Sequence, residues 1–506
     1  MAKEPGADRT GNDRGFDGFR YQLGQKGVLP EREKRKRGGK APEHQWCTER
    51  PNVLWLMADQ LRGDTFGYME HPFIQTPNLD RLAREGAWFT NSLCASPVCA
   101  PSRATFLTGH YLGGHKVYSN GHHMSDKVRV FPPMLQAAGY RTANIGKHHA
   151  GFPSQDCWEY RGHVEDAFGA TKPTKVAFDP DIYPNLVFVG NEKCDNSDRV
   201  LHGCYPGPPP TTKSYQLANE AMKWLYWHDD PRPFFLRVSF DDPHPPVVPP
   251  EPYYSMYKPE DVPDDLVAAA RESMANKPRV VQEFQKHTLC DRISEEDHRK
   301  HAACYCGLVT HLDAQMGRIL DYLDELGIAD NTIIIVNSDH GQMTGEHGLA
   351  HKGVVCYEGV THIPTIVKWP GHIAPDTRID ALIEGVDFMP TVFDMLDVEI
   401  DPEISETLPG KSFLPLMQKK QDRIKDYVFV QWDDFGYCIR GERWKLNWYD
   451  AYGEGELYDL KADPREKQNR FADPEVADVR DDLLKRLRDW REKYDPENLR
   501  AMPVPS

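Results

Sequence analysis

The sequence has no run of apolar residues approaching the ~18 that a membrane-spanning helix needs. Its longest runs, such as Val53 to Met57, are strand-sized. The N-terminus, MAKEPGADRTGNDRG, lacks the apolar centre of a secretory signal. Cytoplasmic placement is therefore expected, unless a leader has already been removed. Cysteine is sparse, with 11 in 506 residues and no CxxC pair, so neither a disulfide framework nor a zinc knuckle is expected. Cys304 and Cys306 are too close together and too isolated to hold zinc. Basic residues are outnumbered, 61 Lys and Arg against 77 Asp and Glu, for a formal charge of −16. Such a surface repels nucleic acid and anionic membranes, and neither is expected as a partner. An anionic substrate would need a local cluster of cations at its site.

A chain of 506 residues can bury a large core and accommodate two or more domains. Residues 1–47 are rich in Gly and charge and read as an arm. Its run Glu31 to Lys40 is interrupted by acids, which favours a solvated or oligomer-wrapping segment over a nucleic-acid contact, and is consistent with a homo-oligomer. From about 48 to 425, strand and helix signals alternate. Val53 to Met57 is continuously apolar, as in a strand covered on both faces. Thr76-Pro77 predicts a helix start with Thr76 as N-cap and Leu79 and Leu82 inward. Leu312, Met316, Ile319, Leu320 and Leu323 form one helical stripe, ended by Gly327, and the strand Thr332 to Val336 follows. This alternation predicts an α/β fold on a mostly parallel sheet sandwiched by helices.

Residues 426–506 differ. Short strand candidates at 427–432, 437–440, 444–448 and 456–458 follow in quick succession, and a helix starts at Asp473-Pro474. A smaller C-terminal α+β domain with an antiparallel sheet is expected. The polar segment from about 250 to 300 is helix-prone and is expected to cover the site entrance as an insertion. No internal repeat is visible.

In open α/β sheets, ligands bind beyond the carboxyl ends of the strands. Four apolar runs end in polar clusters: Asp59-Gln60, Lys147-His148-His149, Asp241-Asp242-Pro243-His244, and Ser338-Asp339-His340. Each alone is ordinary for a solvated loop; their recurrence at strand ends marks a candidate site. Asp59, Gln60 and Asp339 offer hard oxygen ligands and His340 a nitrogen, a set that suits Ca2+, Mg2+ or Mn2+ better than structural zinc. In the segment Ser96 to Gly109, Pro101 fits a first helical turn, so Cys99 falls at a helix N-terminus, where backbone N–H groups and the dipole favour an anion. Arg103 adds a permanent charge one turn on. Position alone leaves Cys99 either a low-pKa thiol or a packed residue.

Cys99-Ala-Pro101-Ser102-Arg103 resembles the C-x-P-S-R signature of the sulfatases, in which an enzyme oxidises the cysteine to formylglycine. Gly146-Lys147-His148-His149-Ala-Gly151 resembles that family's G-K-x-H-x-G, and Pro243-His244-Pro245-Pro246 its P-H-x-P. Ser338-Asp339-His340-Gly341 with Lys352-Gly353 resembles its second metal and lysine segment. Leu457-Tyr458-Asp459-Leu460 with Asp463-Pro464 resembles its C-terminal ending, so the similarity runs from about 50 to 495 in family order. The resemblance implies an alkaline-phosphatase-like fold and hydrolysis of a small-molecule or carbohydrate sulfate ester, after maturation by a formylglycine-generating enzyme. It implies catalytic roles for Cys99, Arg103, Lys147, His149, His244 and Lys352. One divalent ion, Ca2+ ahead of Mn2+ or Mg2+, would be held by Asp59, Gln60, Asp339, His340 and residue 99.

Two departures stand out. Many members carry a second aspartate where this chain has Gln60, and asparagine where it has His340. The Gln and His versions also occur in choline-sulfatase-like members and in phosphonate monoester hydrolases. A phosphonate monoester or phosphodiester hydrolase is thus the nearest alternative, against which Lys147 with His149 speaks. Outside catalysis, the alternative is a binding protein with an unmodified Cys99. Asn120 and His123, on a turn-like stretch with His122, are candidate substrate contacts. His347 and His351 read as structural, Cys94 as packed, and the aromatic stretch Trp432 to Tyr437 as either core or pocket lining.

Overall fold

The computed structural model describes residues 46–151, 157–162, 186–189, 200–264 and 274–499. The expected arm at 1–47 lies almost wholly outside the described residues. Eight strands form the main sheet: β1 (Asn52–Asp59), β2 (Ala87–Phe89), β3 (Arg141–Gly146), β4 (Tyr160–Gly162), β5 (Phe234–Pro243), β6 (Thr332–Ser338), β7 (Thr365–Lys368) and β8 (Thr377–Ile379). Their order is β8-β2-β7-β6-β1-β5-β3-β4. β6, β1, β5, β3 and β4 run parallel, whereas β7 is antiparallel to both β6 and β2.

Every residue of β1 is buried, because helices cover both faces and the strand has no solvent side to make polar. Leu54 and Leu56 point one way, into a cluster with Leu79 and Leu82 of α1 (Pro77–Glu85), Leu217 of α2 (Lys213–Tyr226), and Leu312, Met316, Ile319 and Leu323 of α3 (Glu295–Glu325). Val53, Trp55 and Met57 point the other way, against Phe106, Phe388 and Val392. The predicted stripe therefore faces inward, on a helix that starts earlier than its apolar residues, where Ser294 caps it by accepting from Asp297 N. Gly327 has φ +68, a left-handed turn that suits glycine after the helix.

The start of α1 departs from expectation. Thr76 does not cap it, because its hydroxyl already accepts from Gly67 N and donates to Asp80. Asp313 of α3 takes over, accepting from Leu79 N at 2.8 Å and from the Asn78 side chain at 2.8 Å.

The C-terminal sheet is a meander of β9 (Val428–Trp432), β10 (Gly436–Arg440), β11 (Trp444–Tyr449) and β12 (Glu454–Asp459), antiparallel throughout. The helix α4 (Ala477–Tyr494) packs Leu483, Leu484, Leu487 and Trp490 on it, with Tyr437, Ile439 and Trp448. The aromatic stretch divides accordingly. Tyr437 is core, whereas Trp432 and Phe435 are half-buried at the β9–β10 turn, with ring centroids 4.2 Å apart.

No helix among the described residues is long and apolar enough to cross a membrane. Their cysteines are all unpaired. The described part of the 250–300 segment includes a helix at Arg279–His287. It lies on the loop that carries Lys352: Gln285 Nε2 donates to Gly348 O at 3.2 Å, and the Phe284 ring borders Gly353.

Candidate active site

The carboxyl ends of β1, β3, β5 and β6 deliver the polar residues to one edge. Asp59 closes β1, Lys147 follows β3, His244 follows β5, and Asp339 and His340 follow β6. Parallel strands aligned in register place these turns together, which is why a polar cluster after each apolar run was informative.

The remaining component comes from a helix, Cys99–Thr108, whose first residue is Cys99. Its preceding residue, Val98, has no capping side chain; the Asn120 side-chain oxygen instead accepts from Ala100 N at 3.1 Å. Asn120 is thus brought to residue 99 through the helix backbone. His123 is exposed two residues past Gly121.

At the centre, Asp59, Cys99, Asp339 and His340 are buried and present ligand atoms all within 4.8 Å of one another. Cys99 Sγ lies 3.7 Å from Asp59 Oδ1 and 3.2 Å from His340 Nε2, and Lys352 Nζ donates to it at 2.8 Å. His149, itself exposed, also favours the thiolate form of the sulfur. Arg103, fully buried, donates from Nε to Asp339 Oδ2 at 2.7 Å and from Nη2 to Asp59 Oδ2 at 3.2 Å. Lys147 pairs with the same Asp59 oxygen. His244 is half-buried, donates through Nδ1 to Pro245 O at 2.8 Å, and acts electrostatically on Asp59.

Burial alone would raise the Cys99 thiol, yet Lys147, Lys352, His340 and His149 outweigh it and hold it well below the ordinary thiol range. Asp59 is likewise pushed up by burial and by Cys99, but Lys147 and Lys352 bring it well below the usual carboxylate range. Burial works against the Lys147 ammonium; Asp59 and Cys99 reverse that and raise it. The site thus supplies the local cations that an acidic chain needs for an anionic ligand.

The residues present fit a divalent cation. His340 Nδ1 donates to Gly341 O at 2.9 Å, which leaves Nε2 as the lone-pair nitrogen facing the cluster. Gln60 Oε1 is buried without a hydrogen-bond partner among the described residues, while its Nε2 donates to Gln342 Oε1. An orphaned buried carbonyl is costly unless something electropositive faces it. With two carboxylates and one imidazole, the donor set is that of a hard or borderline ion.

Three residues support the cluster: Ser239 and Gln342 carry no motif, and Ser102 belongs to the C-x-P-S-R segment without a role assigned from sequence. Ser239 accepts from Arg103 Nη1 at 2.8 Å, Ser102 donates to Asp339 O at 2.6 Å, and Gln342 holds Gln60. Ser239 had one visible signal, a hydroxyl that with Arg237 interrupts the apolar run Phe234 to Phe240. His347 is buried and structural, stacked on Tyr357 and bonded through Nδ1 to Lys277 Nζ. Cys94 is buried, as expected of a packed thiol.

Comparison with known proteins gives a consistent result. The sulfatase family model matches residues 51–398, and that of the N-sulphoglucosamine sulphohydrolase C-terminal region matches residues 345–493. An arylsulfatase of Clostridium perfringens is 31% identical over 90% of this chain and 98% of its own length. A multifunctional alkaline phosphatase superfamily protein, PehA, of Trinickia caryophylli is 30% identical over 87% of this chain and 95% of its own. Among solved structures, the phosphonate monoester hydrolase of Agrobacterium radiobacter superposes with a TM-score of 0.72 at 26% identity, covering 88% of this chain and 96% of that one. With the strand-end cluster, the parallel sheet and the C-terminal meander all in place, the chain belongs to the sulfatase family and is a sulfuric ester hydrolase.

Proposed function

We propose that the protein hydrolyses a sulfate monoester to an alcohol and inorganic sulfate through formylglycine at position 99. The observation that carries this reading is the setting of Cys99: a buried sulfur at a helix N-terminus within hydrogen-bond reach of Lys352 and His340. A formylglycine-generating enzyme would replace the sulfur by an aldehyde, whose hydrate carries two hydroxyls on Cβ, where Sγ now sits. One hydroxyl attacks sulfur as the S–O bond to the leaving group breaks. His244 or Lys352 supplies the proton to the departing oxygen. Arg103, Lys147 and Lys352 offset the charge on the transferring group. His149 then removes the proton of the second hydroxyl, the C=O bond reforms, and sulfate leaves. Water rehydrates the aldehyde. A thiol has one nucleophilic atom and could not complete this release.

Asp59, Gln60, Asp339 and His340 would hold one divalent ion, Ca2+ ahead of Mn2+ or Mg2+, which when bound would make a hydroxyl at residue 99 more acidic. Asn120 and His123 remain candidates to touch the substrate. Residues 48–425 are assigned to the catalytic domain and 426–506 to a C-terminal subdomain, supported by an apolar cluster built mainly from the meander and its helix, which Tyr111 and Val386 join from the catalytic part. Unpaired thiols suit a cytoplasmic location.

Likeness to the phosphonate monoester hydrolase favours one second reading, attack on a phosphonate monoester or phosphodiester by the same nucleophile. Rates on matched aryl sulfate, phosphonate and phosphodiester substrates separate the two. Fastest turnover of the sulfate supports the proposal, and slowest turnover of it overturns the proposal.

A further inference from the structure

The strand β5 is apolar from Phe234 to Phe240 except for Arg237 and Ser239. Arg237 is 0% exposed and pairs with no carboxylate among the described residues. Its Nε donates to Asn144 Oδ1 at 2.7 Å, its Nη2 donates to His148 Nδ1 at 3.1 Å, and its Nη1 has no hydrogen-bond partner among the described residues. The guanidinium lies 4.9 Å from the Trp158 ring centroid. Burial, and then the nearby Arg103, pull its pKa down to about 9. A buried cation without an anion is expensive, and an apolar side chain of similar volume would serve the core better. Its place here calls for another role.

His148, the residue Arg237 holds, stands between Lys147 and His149. This turn leaves the strand irregularly, with positive φ at Gly146 (+89), His149 (+43) and Gly151 (+81), so backbone geometry alone does not aim its side chains. Its backbone is tied at Lys147, whose N–H donates to Ser239 O at 3.0 Å and whose O accepts from Arg103 Nη1 at 3.2 Å. The Arg237–His148 bond adds a side-chain tie. It also fixes the imidazole tautomer, since Nδ1 accepts and the proton sits on Nε2.

We propose that Arg237 is a positioning residue which, through His148 Nδ1, sets the 146–151 turn so that the Lys147 ammonium and the His149 imidazole face residue 99. The proposal rests on the roles given above to Lys147 and His149. Arg237→Met keeps length without a donor, and His148→Phe keeps a planar ring without an acceptor. The two and their double variant are made in the full chain. Turnover of 4-nitrophenyl sulfate, thermal midpoint, and hydrogen exchange of the 146–151 peptide are then measured. Each single variant should lower kcat about 10-fold or more while KM moves less than about 2-fold, since a small displacement of positioned groups has effects of this order. The double variant should be no slower than the slower single. The midpoint of Arg237→Met should equal or exceed that of wild type, and exchange across 146–151 should quicken. Unchanged kcat, additive losses, or a lowered midpoint with unchanged exchange at 146–151 would overturn the proposal. A wild type without sulfatase activity whose exchange still quickens in Arg237→Met would sink the sulfatase mechanism and keep the positioning role. If Arg237→Met does not fold, His148→Phe carries the same comparison.

Discussion

Arg103 Nε donates to Asp339 Oδ2 at 2.7 Å with both side chains wholly buried, and its Nη2 reaches Asp59. One guanidinium thus joins the ends of β1 and β6, using the fork geometry that lysine lacks. Arg103→Met leaves two buried carboxylates short of one cation, and breaking such a pair costs about 3–5 kcal/mol. Calorimetry of the metal-free protein should show a lowered thermal midpoint that added Ca2+ partly restores. Arg103→Lys should fall between wild type and Arg103→Met. An unchanged midpoint would mean that the carboxylates are not held as described.

Gln60 tests the cation site. Its orphaned Oε1 is costly in a metal-free protein and useful in a loaded one. Gln60→Leu should weaken Ca2+ or Mn2+ binding about 10-fold or more, while the metal-free midpoint stays the same or rises. Titration calorimetry gives the affinity. Unaltered affinity would make Gln60 a neighbour of the ion and not a ligand.

Asp313 predicts a pH effect on stability. Burial raises its carboxyl to about 6 from 3.8, although the Leu79 and Asn78 N–H groups oppose the shift. A folded pKa above the unfolded one contributes stability below about pH 4 that is lost as pH rises through about 6. A shift of that size corresponds to about 3 kcal/mol. Asp313→Asn lacks this contribution, so the stability of wild type minus that of the variant should fall between pH 4 and pH 7. Urea unfolding at several pH values measures it, and parallel curves would contradict it.

Local sequence reached most of the site because parallel strands turn one-dimensional order into a shared edge. Asp59, Lys147, His244, Asp339 and His340 were each visible where an apolar run stopped. What stayed hidden depends on long-range partners. Thr76 has the chemistry of an N-cap, yet Gly67 and Asp80 occupy its hydroxyl and Asp313, more than 200 residues away, takes the job. Asn120 looked like a pocket residue and serves first as a helix cap beside Cys99. β2 and β8, three residues each, are too short to show a period. Arg237 interrupts an apolar strand in the sequence, but only the fold reveals that it bonds His148.

His149 separates the two halves of the proposed cycle. If it only releases sulfate, His149→Ala should give one equivalent of alcohol per formylglycine in a burst, then stall by about 10²-fold or more, the usual scale for a lost general base. Rapid-quench kinetics on 4-nitrophenyl sulfate reads both phases. Steady turnover without a burst at a wild-type rate would remove His149 from the release step.

The most direct measurement is the mass of the proteolytic peptide carrying residue 99, from protein made in its native cell. Loss of the sulfur with gain of an aldehyde is the predicted result and would establish the nucleophile. An intact cysteine in active protein would contradict the formylglycine mechanism, leaving a buried thiol among three cations to be explained by other chemistry.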